Sequence, residues 1–348
     1  MNINEFLNLD PMKYYNPVEP AEGTAAFTKR QNMIENKQGE YVASIKNDGD
    51  WSMMIHVSKD VNIIRSRSIS KVTGAYGLYT DKLPQICEEM NLLPDNTVLL
   101  GEVCWHKPHT NANTVGTILR CLAAKAVERQ KENKLFDVVF DMLMLGNEDM
   151  CDMPYEARIS IINNLFRTYQ GFHYITPTEF RNIPDYQSWA DEIIDNGGEG
   201  LVIQDKTNSY MPGTRTAWKT LKLKQHTPEM ELKVLESIEP NKLYDGDDKE
   251  HWAYWYQDMP NANKQEDNVQ VTKPYFMGWK NGVIVDYNGV PVRVTSGMSD
   301  DDRAWLATAE AQEAIKRGDV IATVKAMSEN DLKSLRHPVL VRLRYLDK

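Results

Sequence analysis

The chain has 348 residues, 41% of them hydrophobic and 26% charged, with a formal net charge of −10. That length suits two domains, and the composition is that of a globular protein rather than a disordered one. Nowhere do eighteen apolar residues run together, and Met1 to Tyr15 carries neither a basic n-region nor an apolar h-region, so the expectation is a cytoplasmic protein with no membrane span.

In chain order, the first predicted element is a strand: Tyr41, Ala43 and Ile45 alternate with Val42 and Ser44. Asn47-Asp48-Gly49 supplies turn residues that tolerate positive φ, and Trp51 to Val57 reads as the returning strand of a hairpin. This puts Lys46 at the end of a strand. An amine attacks phosphorus or a carbonyl only when unprotonated, so a nucleophilic lysine needs cationic neighbours, a metal or burial. Lys, Asp and Gly at three fixed places recur by chance in roughly one chain in fifteen of this length, so the later elements must carry the argument.

Ile64-Arg65-Ser66-Arg67 comes next, then a predicted helix from Asp81 to Leu93 and an apolar run into an acid, Val98-Leu99-Leu100-Gly101-Glu102-Val103. Phe136 to Leu143 predicts a long strand in which Val138, Phe140 and Met142 share a face. Two further helices are predicted, Tyr155 to Tyr169 and Asp185 to Asn196, the latter closed by Gly197-Gly198. Gly198-Glu199-Gly200-Leu201-Val202-Ile203 and Leu221-Lys222-Leu223-Lys224 follow, and the alternation of the last turns both lysines to one face.

The pattern breaks at His226-Thr227-Pro228, dividing the chain into residues 1–227 and 228–348. Beyond the break lie short predicted strands at Lys233 to Ile238, Tyr275 to Lys280, Val283 to Tyr287 and Val290 to Thr295. Trp279 to Gly282 and Asp286 to Gly289 are the expected hairpin turns, and one helix is expected over Asp300 to Arg317. Many short strands with one helix fit a small oligonucleotide-binding barrel. Charge is segregated: Met211 to His226 and Leu332 to Lys348 are basic, whereas Glu229 to Asp267 is acidic. Cys87, Cys104, Cys121 and Cys151 form no C-x-x-C pair, so neither a zinc site nor a disulfide framework is expected.

The ordered set of Lys46 with Asp48-Gly49, Ser66-Arg67, Glu102, Phe140, Glu199-Gly200 and Lys222/Lys224 resembles the covalent nucleotidyltransferases: ATP-dependent DNA ligases, RNA ligases and mRNA capping enzymes. From about Tyr41 onward the chain looks most like the compact ATP-dependent DNA ligases of the bacteriophage type. The resemblance implies an α+β fold: a nucleotidyltransferase (adenylation) domain of antiparallel sheets with flanking helices over 1–227, then a small all-β OB-fold barrel over 228–348. It implies ATP with Mg2+ or Mn2+ as cofactors, nicked duplex DNA as partner, a monomer, and two domains that alone close on the duplex.

Carried over residue by residue, Lys46 takes AMP, Lys222 and Lys224 hold phosphate oxygens, and Glu102 and Glu199 serve the metal, Glu102 also touching the ribose. Phe140 stacks on adenine, Ser44, Ile45 and Arg67 line the nucleotide, and Arg336 and Arg344 orient the pyrophosphate. Arg65, Arg67 and Arg215 contact DNA. Val292 to Asp300 resembles the strand and Gly297 turn ahead of the barrel's helix, and Arg344 to Lys348 the closing Arg-x-Asp-Lys motif with one extra residue; the chain stops on Lys348. Three positions depart from the ligase pattern: Ser44 stands where a glutamate reads the adenine amine, Trp51 where an arginine follows the glycine, and Gln204 where a basic residue closes the Glu-Gly motif. An RNA ligase or capping enzyme shares the covalent lysine chemistry and differs in acceptor, and a nucleic-acid-binding module without chemistry is the remaining alternative.

Overall fold

The computed structural model describes residues 1–14, 22–70, 73–105, 112–132, 134–216, 218–224, 229–244, 253–255, 270–326, 328–329 and 333–345. They form two compact units, Met1–Lys224 and Gln225–Lys348.

The first unit contains helix α1 (Ala25–Glu35), strands β1 (Tyr41–Ile45), β2 (Asp50–Ser58), β3 (Val61–Ile69) and β4 (Tyr76–Leu78), helix α2 (Pro84–Met90) and strand β5 (Thr97–Trp105). Helices α3 (Ala112–Leu119) and α4 (Ala123–Arg129), strand β6 (Leu135–Leu145), helix α5 (Tyr155–Thr168) and strands β7 (Ile175–Pro177) and β8 (Phe180–Arg181) follow. Helix α6 (Tyr186–Asp195) and strands β9 (Gly200–Asp205) and β10 (Thr220–Lys224) complete it. Two sheets result. One runs β8-β1-β9-β10; the other runs β4-β3-β2-β5-β6, with β7 beside β6 and the short strand Glu148–Asp149 at its edge.

The expected hairpin is therefore not one. β1 pairs with β8 and β9, while β2 pairs with β3 and β5, so Asn47-Asp48-Gly49 carries the chain from one sheet to the other. None of the three residues has positive φ. Gly49 is needed for a different reason: a Cβ there would stand 2.1 Å from the Val103 carbonyl oxygen, so only glycine lets the crossing chain lie against β5.

Each sheet buries one face under helices. Ala43, Leu201, Ile203, Leu221 and Leu223 pack with Met33, Tyr186 and Trp189 of α1 and α6, leaving the opposite face of the four-stranded sheet with Ser44, Val202 and Lys222. In the larger sheet Met54, Ile64, Leu99, Val103, Val139 and Met142 meet α2, α3 and α5, while Trp51, Met53, Leu100 and Leu143 form a second core with Phe6 and Met12. β6 bulges: Gly101 pairs with Val139 and Leu100 with Asp141, leaving Phe140 as the extra residue. That breaks the expected alternation. Phe140 packs with the second core, whereas Met142 lies in the first.

The helix expected over Asp81 to Leu93 is a 3-10 turn (Thr80–Lys82) followed by α2, because Pro84 keeps Leu83 out of helical geometry (ψ 55°) and sits at the first helical turn itself. α5 and α6 run as expected, and Asp185 caps α6 through the amides of Gln187 and Ser188. α5 is pinned to β6 by a buried pair: Arg158 donates from Nε to Asp141 Oδ1 at 2.7 Å and from Nη2 to Oδ2 at 3.0 Å, with both side chains withdrawn from solvent.

The second unit is built on β11 (Met230–Ile238), helix α7 (Lys273–Phe276), β12 (Gly282–Tyr287), β13 (Val290–Val294), helices α8 (Asp300–Leu306) and α9 (Ala309–Arg317), β14 (Val320–Lys325) and β15 (Val339–Tyr345). Its sheet runs β13-β12-β11-β14-β15. β11 shifts register between Val234 and Glu236, so its first half pairs with β14 and its second with β12. The two edges approach: Ser296, just past β13, bridges Val339 in parallel, and Leu340 N–H donates to the Ser296 carbonyl at 2.9 Å. Val234, Val283, Val285, Val294, Ala322 and Val324 fill the inside with Leu306 and Ile315.

Three expectations fail here. Tyr275 to Lys280 is not a strand, because Thr272 caps α7 through Tyr275 N–H and Pro274 occupies its first turn, so no hairpin turn exists at Trp279 to Gly282. Asp300 to Arg317 is two helices, since Thr308 starts a new one as the N-cap of α9. Asn288-Gly289, both with positive φ, does make the tight turn between β12 and β13. Asp347, Lys348 and most of the acidic stretch lie outside the described residues.

Candidate functional site

β1 ends at Ile45, and the Lys46 amide donates to the Gly200 carbonyl at 2.8 Å, which ties the lysine to the first residue of β9. Gly200 is constrained by both its φ of +127° and its neighbour: a Cβ there would stand 2.0 Å from the Leu223 carbonyl oxygen. This lets β9 and β10 come together directly beneath Glu199. Lys46 Nζ donates to Glu199 Oε2, and Lys224 Nζ lies 2.9 Å from Glu199 Oε1. The Lys46 and Glu199 side chains are 16% and 8% exposed, so the pair is shielded yet open to a ligand.

Around this pair lies a pocket that opens to solvent, lined by Ser44, Ile45, Lys46, Asn47, Val202, Gln204 and Lys222 from one sheet and Trp51, Arg67, Glu102 and Phe140 from the other. The strand register explains the grouping. Ser44, Val202 and Lys222 stand side by side across β1, β9 and β10, and Trp51 stands opposite Glu102 across β2 and β5. The Phe140 bulge turns an aromatic ring into the same space.

Charge is finely set. Loss of solvent pushes the Glu102 carboxyl up to about 8, with Asp137, Asp50 and Glu199 adding to the shift and Lys46 opposing it. Lys222 is pushed down to about 8, first by burial and then by Lys46, Lys224 and Arg67. Asp137, buried beside Gly101, is raised to about 7 by burial against the hydrogen bond it accepts from Ser52 Oγ at 2.5 Å. The free protein's pocket therefore has two groups that change charge near the same pH.

Of the expected site residues, Ser44, Ile45, Lys46, Arg67, Glu102, Phe140 and Lys222 line one pocket, with Glu199 and Lys224 at its lysine. Arg67 donates to the Met12 carbonyl at 3.0 Å with its guanidinium 6.0 Å from the Trp51 ring. Arg65 is a correction. It is 1% exposed, donates to the carbonyls of Phe6, Leu9 and Ser66, and stacks 4.0 Å from the Tyr76 ring, so it holds the N-terminal segment and presents nothing to DNA. Arg215 lies on a two-residue strand paired with Lys13–Tyr14, and its side chain is outside the described residues. In the second unit, Arg344 is ion-paired with Glu231, and Arg336 lies on the short strand Leu335–Arg336 against Ser328–Glu329. Sequence reasoning treated Trp51 and Gln204 only as departures, yet both line the pocket, and it gave no role to Asn47, Val202 or Asp137. The alternation Gly200, Val202, Gln204 along β9 carried the signal for two of them.

The model of the ATP-dependent DNA ligase domain matches residues 24–224. A DNA ligase of Nitrosopumilus maritimus is 23% identical over 218 residues, 60% of this chain and 35% of that ligase. A DNA ligase of Methanococcus aeolicus is 24% identical over 211 residues, 59% of this chain and 35% of that protein. The chain thus spans about a third of the length of the curated relatives it matches. Among solved structures, one of Lig E DNA ligases, concerned with DNA binding with a minimal scaffold, aligns with a TM-score of 0.57 at 18% identity over 88% of this chain and 93% of that one. Another, Pmar-Lig_Pre, aligns with a TM-score of 0.61 at 16% identity over 97% and 68%. At such identities the structural likeness establishes the fold. Because the domain match covers more than half of the chain, including Lys46, Glu102, Phe140, Glu199, Lys222 and Lys224, the protein belongs to the ATP-dependent DNA ligase family.

Proposed function

We propose that this chain is an ATP-dependent ligase that joins a 5′-phosphate to a 3′-hydroxyl at nicks in duplex DNA through a lysyl-AMP on Lys46. The observation that carries the reading is the pairing of one shielded lysine with Glu199 at the rim of a pocket holding a second acid, an aromatic ring and further cations. Residues 1–227 form the adenylation domain and 228–348 an oligonucleotide-binding barrel. The five-strand order, the helices between β13 and β14 and the parallel edge bridge support that second assignment.

The reaction has three displacements at phosphorus, each governed by position and charge. Lys46 Nζ, having released a proton to solvent, attacks the α-phosphorus; the bond to the bridging oxygen breaks and pyrophosphate leaves. A 5′-phosphate oxygen of the DNA then attacks the same phosphorus, the P–N bond breaks, and Lys46 regains a proton. Finally the 3′-hydroxyl oxygen, losing its proton, attacks the DNA phosphorus and AMP departs. Throughout, Lys222 and Lys224 face the phosphate oxygens and Phe140 covers the base. Glu102 and Glu199 fit a divalent cation: the raised Glu102 carboxyl is relieved by positive charge, and Glu199 Oε1 lies close to Lys224 without hydrogen-bond alignment. Mg2+, or Mn2+ in its place, would be held there with substrate oxygens and would supply Lewis-acid charge on the phosphate.

Incubation with α-labelled ATP, followed by nicked DNA or nicked RNA, tests the reading. Label is expected on the protein, then on the DNA 5′-end, then as free AMP with a sealed strand; absence of protein label, or transfer to RNA alone, would overturn it.

Two further results are expected. Lys222 holds its charge below pH 8 and loses it above, so the KM for ATP in self-adenylylation rises above about pH 8, and Lys222→Arg removes that rise because a guanidinium stays charged. An unchanged inflection in the arginine variant would assign the titration to Glu102. Separately, Arg336→Ala and Arg344→Ala are expected to slow self-adenylylation at least tenfold more than the sealing of a nick already carrying AMP, since only the first step has a pyrophosphate to stabilise. Equal losses in folded protein would make these arginines DNA contacts or braces of the barrel.

A further inference from the structure

Gln204 and Ser44 are each 5% exposed, and both line the nucleotide pocket. They lie on one face of adjacent strands: Ser44 pairs with Val202 and Gln204 with Val42, which makes the two side chains diagonal neighbours. Along this face the row Lys46, Ser44, Gln204 leads away from the attacking amine. Among the described residues neither the amide of Gln204 nor the hydroxyl of Ser44 has a hydrogen-bond partner. Neither side chain is among the polar atoms buried without a partner, so both open into the pocket, where a ligand can take up their unused hydrogen bonds. The charged groups of the pocket wall are Lys46, Lys222, Arg67 and Glu102, and Lys222, opposite Val202, is the diagonal neighbour of Gln204 on its other side.

We infer that Gln204, with Ser44 beside it, reads the six-position edge of the purine, in place of a charged residue. The inference rests on the proposed covalent use of ATP and adds how the base is chosen. A side-chain amide matches adenine twice, its oxygen accepting from the six-amino group and its nitrogen donating to the adjacent ring nitrogen. Unlike a carboxylate, which only accepts, an amide turned over also matches a six-oxo purine. The pocket therefore distinguishes ATP from GTP less sharply than a carboxylate would, and Gln204 sets that ratio.

The test compares self-adenylylation KM values for ATP, GTP and purine riboside triphosphate, which lacks the six-amino group. The wild type is expected to prefer ATP over the unsubstituted purine by on the order of tenfold, and Gln204→Leu to lose that preference while melting like the wild type. Gln204→Glu keeps an acceptor, so it is expected to retain the preference and to widen ATP over GTP by on the order of tenfold. If Gln204→Leu keeps the wild-type preference, or Gln204→Glu leaves the ATP to GTP ratio unchanged, the base is read elsewhere and the inference falls. A wild type that takes label from none of the three would instead defeat the covalent nucleotidyl reading on which it rests.

Discussion

Lys46→Ala is expected to take no label from ATP and to seal no unadenylylated nick with ATP, with a melting temperature close to the wild type's. The side chain is the amine nearest Glu199 in the pocket, and no other lysine stands at the end of β1 with its backbone held by Gly200. Truncating it removes the nitrogen that would bond phosphorus, so the loss is of a chemical step rather than of affinity. Sealing of a nick already carrying AMP should survive in part, because that step needs no new bond to lysine. Labelling of the alanine variant at the wild-type level would return Lys46 to a structural ion pair.

The second large effect falls on stability. Arg158→Ala should cost about 3–5 kcal/mol, because it strands Asp141 in the core with its charge unpaired. Denaturant unfolding measures it, and Asp141→Asn with Arg158→Met should recover much of the loss by removing both charges together. The pair joins α5 to β6 one residue after Phe140, so the same variant should loosen the bulge that turns the aromatic ring into the pocket. A loss below about 1 kcal/mol would mean that water reaches the pair, as at a surface salt bridge.

Local alternation made several strands legible: β9, β10, β12 and β13 lie where Val, Ile or Leu recurs at every second position, and β1 where Tyr41, Ala43 and Ile45 do. It could not say which strand pairs with which. Asn47-Asp48-Gly49 reads locally as a hairpin turn, but the glycine answers to the Val103 carbonyl on a strand some fifty residues away. Proline and capping residues carried information that the apolar pattern overrode: Pro84 splits the α2 region, Thr272 and Pro274 start a helix where a strand was expected, and Thr308 restarts α9.

The site itself was legible because its residues sit in short ordered motifs on strand ends. What escaped were effects of packing. The bulge at Phe140 cannot be seen in a two-residue period, and Arg65 looks like its neighbour Arg67 until Phe6 and Leu9 fold over it. Gln204 was noticed for the charge it lacks; its burial and pocket exposure come from β9 lying between β1 and β10.

The central claim is a covalent bond between Lys46 and AMP. Intact-protein mass spectrometry after incubation with ATP and Mg2+, then peptide mapping, tests it most directly. A gain of one AMP moiety is expected on the peptide containing Lys46, removed by added pyrophosphate and by nicked DNA. An unmodified mass under conditions where the protein binds ATP, or AMP attached to any other residue, would contradict it.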